Sequence, residues 1–303
     1  MRKIVVATLD VLIPHFNDPE ALLMSLESVE QQTWEGSLRV IVVDDGSHKD
    51  QLHQVEEIVQ SSALDIKLIK SPENKGRPVT RNKLLDAADA PFLAWLDAGD
   101  VWYPNKIKTQ FDCIYKLTLE GVDIDALWVT CHYDWKWEGR RRRKVSQITQ
   151  GDQLRELYTG DKLRAYLWTL LGTRKAFEMA ARFDERLPRL QDLDYFISFV
   201  RAGGKLVSPD TDDSLCCYFK SDIGRNAAEI RNCYTTIFDK HHASLLPMGP
   251  KFFKRVKSKA DMVAARFAKN NSEHWLAIGF RLTAFTNDPK YALYRLKKSL
   301  TQG

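Results

Sequence analysis

The sequence predicts an α/β fold with a mixed, mainly parallel sheet flanked by helices, because short apolar runs alternate with helical patterns. Apolar runs at residues 4–13 and 38–43 enclose a helical pattern that passes through Leu22, Leu26 and Val29. Strand, loop, helix and strand in this order are typical of a βαβ unit. The run 90–96 is apolar throughout, which suits a parallel strand buried on both faces.

The remaining elements continue this pattern. A short strand at 66–69 and a helix at 83–88 complete the first part of the chain. Further strands are predicted at 168–173, 205–207 and 215–219, and helices occupy the segments before and after the first of these. A C-terminal helical part begins within 222–231.

Acidic residues follow two of these predicted strands. Asp44 and Asp45 end the second run, and Asp97 and Asp100 follow the fourth. The carboxyl ends of parallel strands meet at one edge of an open sheet, where ligands bind. Carboxylates there could hold Mg²⁺ or Mn²⁺ together with a substrate phosphate. The alternative for Asp97 and Asp100 is that they cap a helix that starts near Pro104.

Four sequence motifs occur in order after the predicted strands: Ile13-Pro14-His15-Phe16-Asn17, Val42-Val43-Asp44-Asp45-Gly46-Ser47, Glu73-Asn74-Lys75-Gly76 with Arg81-Asn82, and Leu96-Asp97-Ala98-Gly99-Asp100. In order and spacing they resemble the nucleotide-sugar half of family 2 glycosyltransferases with a GT-A fold. Residues 183–194 resemble the acceptor-side segment of that family. The resemblance covers roughly residues 1–220. It implies a catalytic domain at 1–220, with a nucleotide-sugar half at 1–105 and an acceptor half at 106–220, followed by a basic helical region at 221–303.

The resemblance implies roles for particular donor-site residues. Asp45 matches the acid that accepts a hydrogen bond from a pyrimidine base, which favours a UDP- or dTDP-sugar. The other residues that match donor-binding positions are Pro14, Phe16, Asn17, Gly76, Arg81 and Asp97. Arg81 carries a guanidinium suited to phosphate or base oxygens. The alternative for each is ordinary turn or cap chemistry.

Asp192 is the residue that the family pattern favours as general base. Inverting transfer requires a carboxylate to take the proton of the acceptor hydroxyl as its oxygen attacks the anomeric carbon. Asp194 is a competitor, but a spacing of two residues allows only one of the pair to point into a site. The alternative is that both acids cap a helix that runs through Phe196 and Phe199.

Gly99 departs from the family pattern, in which this position commonly carries an acidic metal ligand. The Asp-X-Asp motif is therefore incomplete, and the metal is assigned to Asp97 and Asp100. Dependence on Mn²⁺ or Mg²⁺ could be weak. A non-catalytic protein that binds nucleotide sugars or glycans is the alternative function. A nicotinamide oxidoreductase is disfavoured, because no Gly-X-Gly-X-X-Gly follows the first strand.

Composition agrees with a cytoplasmic globular protein. The chain has 303 residues, 44% of them hydrophobic, and no apolar run reaches the length of a membrane span. Its five cysteines show no Cys-X-X-Cys spacing and are expected to be reduced. Asp10 interrupts the apolar start, so a first β-strand is expected there rather than a signal peptide.

Positive charge is concentrated near the C-terminus. Residues 251–303 contain twelve Lys or Arg against three acids, a net charge of +9, whereas the whole chain carries +5. The segments 251–257 and 291–298 mix aromatic and basic residues in helical patterns, which suits helices on anionic lipid. Such helices would place the protein on the inner face of the cytoplasmic membrane, near a glycan or lipid-linked acceptor. The alternative is a helical cap that packs its apolar residues and leaves its lysines in water. Nucleic-acid binding is disfavoured, because no nucleic-acid module accompanies these charges. A second basic run at 139–144 is interpreted as a solvated hairpin, with contact to a phosphorylated acceptor as the alternative.

Overall fold

The computed structural model describes residues 8–136, 142–219 and 226–300, except for the side chains of 298–300. The chain divides into two compact units. The sheet unit comprises residues 1–185 and 195–221, and the helical unit comprises 186–194 and 222–303. The helical unit therefore includes a segment that lies well before residue 221 in the sequence, and no local sequence pattern indicated this.

Two sheets account for the strands of the sheet unit. In chain order the strands are β1 Thr8–His15, β2 Ser37–Asp44, β3 Ile66–Lys70, β4 Phe92–Trp95, β5 Val101–Trp102, β6 Leu127–Val129, β7 Tyr133–Lys136, β8 Arg143–Val145, β9 Leu171–Thr173, β10 Lys205–Val207 and β11 Cys216–Phe219. The larger sheet has the order β10-β6-β9-β4-β1-β2-β3. Its neighbouring pairs are parallel except that β9 runs antiparallel to β4 and β6. The predicted α/β fold with a mainly parallel sheet is confirmed.

Helices connect and cover these strands. In chain order they are α1 Pro19–Glu30, α2 Lys49–Ser61, α3 Arg77–Ala87, α4 Lys106–Leu119, α5 Gln153–Thr159, α6 Arg174–Met179 and α7 Gln191–Arg201, of which α7 begins in the helical unit. In α1, the Asp18 carboxylate accepts the Ala21 backbone N–H at 3.1 Å, which caps the first turn. Leu22, Leu26 and Val29 are buried, so each adds roughly 1.5–3 kcal/mol of apolar burial to the folded state.

Two predicted elements differ from the structure. Helix α3 begins at Arg77 rather than at 83, because Gly76 supplies a φ of +88° just before it and Pro78 is suited to a first helical turn. The predicted strand at 168–173 is a strand only over Leu171–Thr173. Residues Leu167–Thr169 form a 3₁₀ turn instead.

The smaller sheet has the order β5-β11-β7-β8. Strands β7 and β8 are antiparallel, as a hairpin requires. Arg142 lies beside β8 and forms a 3.1 Å ion pair with the buried Asp134. The part of the basic run at 139–141 lies outside the described residues.

Five helices form most of the helical unit: α8 Ala227–Lys240, α9 His242–Leu245, α10 Pro250–Asn270, α11 His274–Asn287 and α12 Pro289–Leu300. Along α10, Phe252 and Val256 are buried, whereas Lys251 and Lys254 are exposed. Helix α10 thus packs its apolar residues and leaves these lysines in water, which is the alternative that the sequence left open for this segment. None of the helices in the described part of the chain is both long enough and apolar enough to cross a bilayer.

Candidate functional site

The loops that follow β1, β2 and β4 lie at the carboxyl edge of the larger sheet. Strand β1 is central and pairs in parallel with both others, with Pro14 beside Val43 and Leu12 beside Trp95. The loop that follows β3 joins this edge as well, because β3 is parallel to β2. The loops after β1, β2, β3 and β4 are called the first, second, third and fourth loops below. The motifs that the sequence singled out are therefore neighbours at one edge.

His15 and Asp44 form a buried pair between the first two loops. The Asp18 backbone N–H donates to His15 Nε2 at 3.2 Å, so the ring proton resides on Nδ1 and is donated to Asp44 Oδ2 at 2.8 Å. Burial raises the pKa of Asp44, but hydrogen bonds from His15 and Ser47 outweigh it and leave that pKa below its ordinary value. Asp44 is thus an ionised structural carboxylate that holds two loops together.

Asn17 links the same loops through its backbone and side chain. Its N–H donates to Ser47 Oγ at 2.8 Å, and its Oδ1 accepts the His48 backbone N–H at 2.8 Å. The backbone φ of +54° at Asn17 is one that asparagine tolerates better than most residues. Pro14 is half-buried beside it, and the Phe16 side chain is 45% exposed. The loop therefore presents an aromatic ring on a fixed backbone.

Asp45 joins the second loop to the third. Its carboxylate is buried and accepts the Lys75 N–H at 3.0 Å and the Gly76 N–H at 2.9 Å. A carboxylate has about four lone-pair positions, so Asp45 retains capacity for another donor. The adjoining Gly46 has a φ of +74°, and a Cβ there would lie 2.4 Å from the carbonyl carbon of Glu73. Only glycine lets the two loops approach this closely.

Arg81 of α3 contacts Asp97 in the fourth loop. Arg81 Nη2 lies 3.1 Å from Asp97 Oδ1 and 3.3 Å from Oδ2, and the guanidinium lies over the Phe183 ring at 5.5 Å. The Arg81 side chain is 2% exposed, whereas that of Asp97 is 30% exposed. Asp97 is therefore the solvent-facing member of the pair, and Arg81 fixes its position and charge.

Asp100 is held differently from Asp97. It is buried, its Oδ1 accepts the Phe219 backbone N–H at 3.3 Å, and its backbone carbonyl accepts Ser25 Oγ at 2.9 Å. Gly99 has a φ of +94°, and its N–H donates to Ala21 O and to Ser25 Oγ. The glycine thus suits a left-handed turn that α1 holds in place.

The alternative interpretation, in which Asp97 and Asp100 cap the next helix, is wrong. Helix α4 begins at Lys106, and the preceding residue is Asn105. Both acids lie several residues earlier, in the turn between β4 and β5.

The carboxylates of this edge fit a divalent cation only in part. Across the described ranges, no three His, Cys, Asp or Glu side chains are grouped so that they could hold a metal ion. Asp97 is accessible, whereas Asp100 is buried against Phe219 N–H. Such an edge suits Mg²⁺ or Mn²⁺ that takes most of its oxygens from phosphate and water, as these cations commonly do.

The candidate base segment belongs to the helical unit. Asp192 and Asp194 both lie in the first turn of α7, which begins at Gln191. Asp194 is buried, and its two oxygens lie 2.7 Å from His241 Nε2 and 2.7 Å from Lys240 Nζ. Asp192 is half-buried. Contacts with Lys240 and His241 therefore hold the Asp194 carboxylate in place. The role of Asp192 as general base stays a prediction.

Sequence reasoning missed three supporting residues. Ser25 and Ser47 hold the turns around Gly99 and Asp44, and His241 pairs with Asp194 although 47 residues separate them. Ser25 gave one usable signal, since it is a polar residue on the apolar face of α1 beside Leu22 and Leu26. Nothing local indicated His241.

The family model described as glycosyl transferase family 2 matches residues 10–177, more than half of the chain. The chain belongs to glycosyl transferase family 2. The matched stretch contains all four strand-end loops, so the predicted family resemblance is confirmed. The predicted roles of the individual residues stay predictions.

Curated relatives of this family-2 chain include proteins of polysaccharide synthesis. It is 26% identical over 201 residues to the amylovoran biosynthesis glycosyltransferase AmsB of Erwinia amylovora, covering 65% of each chain. It is 26% identical over 188 residues to an uncharacterized glycosyltransferase, MJ1057, of Methanocaldococcus jannaschii, covering 62% of each. Over 106 residues it is 31% identical to the Escherichia coli UDP-Glc:alpha-D-GlcNAc-diphosphoundecaprenol beta-1,3-glucosyltransferase WfgD, covering 35% of this chain and 40% of WfgD. The chain thus matches less than two thirds of the length of these relatives.

Solved structures share the fold. S. aureus TarS 1-349 in complex with UDP-GlcNAc superposes with a TM-score of 0.56 at 16% identity, covering 98% of this chain and 92% of that one. The mannosyltransferase PcManGT from Pyrobaculum calidifontis, in complex with GDP-Man and Mn²⁺, has a TM-score of 0.58 at 17% identity, covering 97% and 80%. At this identity the likeness establishes the shared fold alone.

Proposed function

We propose that the chain is an inverting glycosyltransferase that moves a sugar from a UDP- or dTDP-sugar to a hydroxyl of a glycan or lipid-linked glycan during surface polysaccharide synthesis. The observation that carries the proposal is the network that joins the four strand-end loops. Through it, Asp45 and Asp97 are held on fixed backbone at the edge where open α/β sheets bind their ligands. Family membership and the names of AmsB and WfgD support the same conclusion.

The donor base is assigned to the first three loops. Phe16 offers an exposed ring for stacking, with Pro14 and Asn17 shaping the loop that carries it. Asp45 accepts the imide N–H of uracil or thymine through its remaining lone pairs, and the Gly76 amide orients its carboxylate. Calorimetric titration with UDP, dTDP and GDP tests this assignment. Binding of GDP alone would contradict the role of Asp45, because the proposal requires a pyrimidine.

The diphosphate is assigned to the region of Asp97 and Arg81. A divalent cation, Mn²⁺ or Mg²⁺, would be held by Asp97 and Asp100 together with donor phosphates, and would offset the charge that develops on the leaving diphosphate. Arg81 orients Asp97 and adds positive charge close to the same place. Titration of UDP with and without Mn²⁺ measures how strongly binding depends on the cation.

Asp192 is proposed as the general base. Its carboxylate takes the proton of the acceptor hydroxyl while the acceptor oxygen forms the new bond to the anomeric carbon and the nucleoside diphosphate leaves. No covalent glycosyl-enzyme is formed, so the anomeric configuration inverts. The structural commitment of Asp194 to His241 and Lys240 supports Asp192 in this role.

Replacement of Asp192 by Asn tests the catalytic role. The rate of transfer is expected to fall by about 10²–10⁴, the usual contribution of a general base, whereas UDP affinity stays at the wild-type value. Asp194→Asn is the contrast, because it removes a buried ion pair and is expected to lower Tm. If Asp192→Asn transfers sugar at the wild-type rate, Asp192 is not the base.

Because Gly99 leaves the Asp-X-Asp motif incomplete, the second candidate function is a non-catalytic protein that binds nucleotide sugars or glycans. The same measurements distinguish it, since such a protein binds UDP but transfers no sugar even as the wild type. A lipid-linked acceptor lies in a membrane, so the proposal also includes peripheral association with the inner face of the cytoplasmic membrane.

A further inference from the structure

Helix α11 exposes large apolar side chains. Trp275 is 86% exposed and Leu282 is 64% exposed, and Ile278 between them is 44% exposed. Their spacing of three and four residues places all three on one helical face. Glycine and threonine residues surround them on that face, without a charged residue. An apolar face of this kind marks a binding surface more often than an accident of composition.

The opposite face of α11 packs within the helical unit. Ala277 and Ala284 are buried, and Ala277 belongs to an apolar cluster with Ala227 and Ala268. Phe280 is half-buried and packs against the same cluster, so the inward face of α11 has its apolar contacts within the helical unit. Packing inside the helical unit does not account for the exposed Trp275 and Leu282, whereas burial against a partner outside the chain does.

Helix α12 adds positive charge to exposed apolar residues. Leu293 and Tyr294 are 49% and 47% exposed. Lys290 and Lys297 are also exposed, and their spacing from Leu293 places them on its face of the helix. From 274 to 297 the chain carries four Lys or Arg against a single acid, Asp288.

We infer that the exposed faces of α11 and α12, through Trp275, Ile278, Leu282, Leu293 and Tyr294, bind an anionic lipid surface. Tryptophan and tyrosine suit the boundary between headgroups and acyl chains, and the lysines complement anionic headgroups. A second copy of the chain fits less well, because a two-fold contact would bring the same positive patch against itself. The inference rests on the proposed function for its motive, since a lipid-linked acceptor requires a membrane nearby.

The sequence predicted a membrane contact through the two basic aromatic segments 251–257 and 291–298. Because Phe252 and Val256 of α10 are buried, the apolar part of that contact is assigned to α11 and α12. Lysines of α10 remain able to add long-range attraction to anionic lipid.

Sedimentation of the full chain with vesicles tests the inference. Wild-type protein is expected to bind vesicles of phosphatidylcholine and phosphatidylglycerol better than vesicles of phosphatidylcholine alone, and more weakly at high salt. Trp275→Ser combined with Leu282→Ser is expected to weaken binding by about tenfold or more, because both side chains lose their apolar burial in the bilayer. Lys290→Gln combined with Lys297→Gln is expected to reduce the preference for anionic vesicles.

Leu119→Ser is the matched control, because Leu119 is 70% exposed on α4 and lies outside the proposed surface. This variant is expected to bind vesicles as the wild type does. The inference would be overturned if Leu119→Ser lost vesicle binding to the same extent, or if the wild type bound no vesicles. It would also be overturned if the wild type were a dimer that the combined Trp275 and Leu282 variant converts to a monomer. UDP titration of the same proteins separates this result from the proposed function, since loss of vesicle binding with intact UDP binding concerns the surface alone.

Discussion

Gly46→Ala probes the close approach between two loops of the donor site. At a φ of +74°, an L-residue costs roughly 1–2 kcal/mol relative to glycine. The new Cβ would also lie 2.4 Å from the carbonyl carbon of Glu73, so the loop 73–76 must move. Overpacking of this kind typically costs about 1–3 kcal/mol, so we expect a total loss of about 2–5 kcal/mol. Movement of the loop also disturbs the amides that hold Asp45, and UDP affinity is expected to fall by about tenfold or more.

Gly121→Ala is a close control for this change. Gly121 has a φ of +76°, and its Cβ would meet nothing within 4 Å. It is expected to lose only the backbone term of about 1–2 kcal/mol and to bind UDP normally. Urea unfolding of both variants, followed by calorimetric titration with UDP, measures the difference. Equal losses of stability with equal UDP affinity would refute the argument that the two loops touch at Gly46.

Three further predictions concern the same edge of the sheet. Because its hydrogen bonds keep the pKa of Asp44 below the ordinary 3.8, its contribution to stability is present above that pH and is lost as pH falls through the lowered pKa. Wild type should therefore be more stable than Asp44→Asn by about 2 kcal/mol of unfolding free energy at every pH from neutral to about 4. A difference that disappears above about pH 4 would contradict the lowered pKa. Asp97→Asn should lower the free energy of unfolding by about 1–3 kcal/mol, because Arg81 loses its counter-charge, and it should abolish any enhancement of UDP binding by Mn²⁺. The control is Asp112→Asn, in an exposed ion pair with Lys108, which should cost under about 1 kcal/mol. Phe16→Ala should raise the KM for the donor about tenfold through lost stacking, without a change in Tm. Leu23→Ala, similarly exposed on α1, should leave KM unchanged, and equal KM values for the two variants would remove Phe16 from the donor site.

The sequence predicted the parts of the fold that depend on local pattern. Strands β1, β2 and β4 are apolar runs, and the position of acids after them was enough to predict one shared edge. The smaller sheet was predicted only in part: β11 was expected at 215–219, but the two-residue strand β5 was not predicted, because it shows no periodicity of its own. Strand pairing of such short segments is decided by tertiary contacts.

Contacts between distant residues set the second limit. The pair of Asp194 and His241 leaves no trace in a local window, so the sequence could rank Asp192 above Asp194 only through the family pattern. The incomplete Asp-X-Asp motif was visible, but its reason was not. A glycine at a φ of +94° shows that the backbone of this turn requires Gly99, a property that only coordinates reveal.

The contacts of Asp194 determine where this chain can be truncated. Its carboxylate depends on Lys240 and His241, which follow it by more than forty residues, and it lies two residues from the proposed base. A shortened protein that ends before α8 would keep this carboxylate but lose both of these hydrogen-bonding partners. Exchange of the helical unit between family members should therefore transplant residues 186–194 together with residues 222–303.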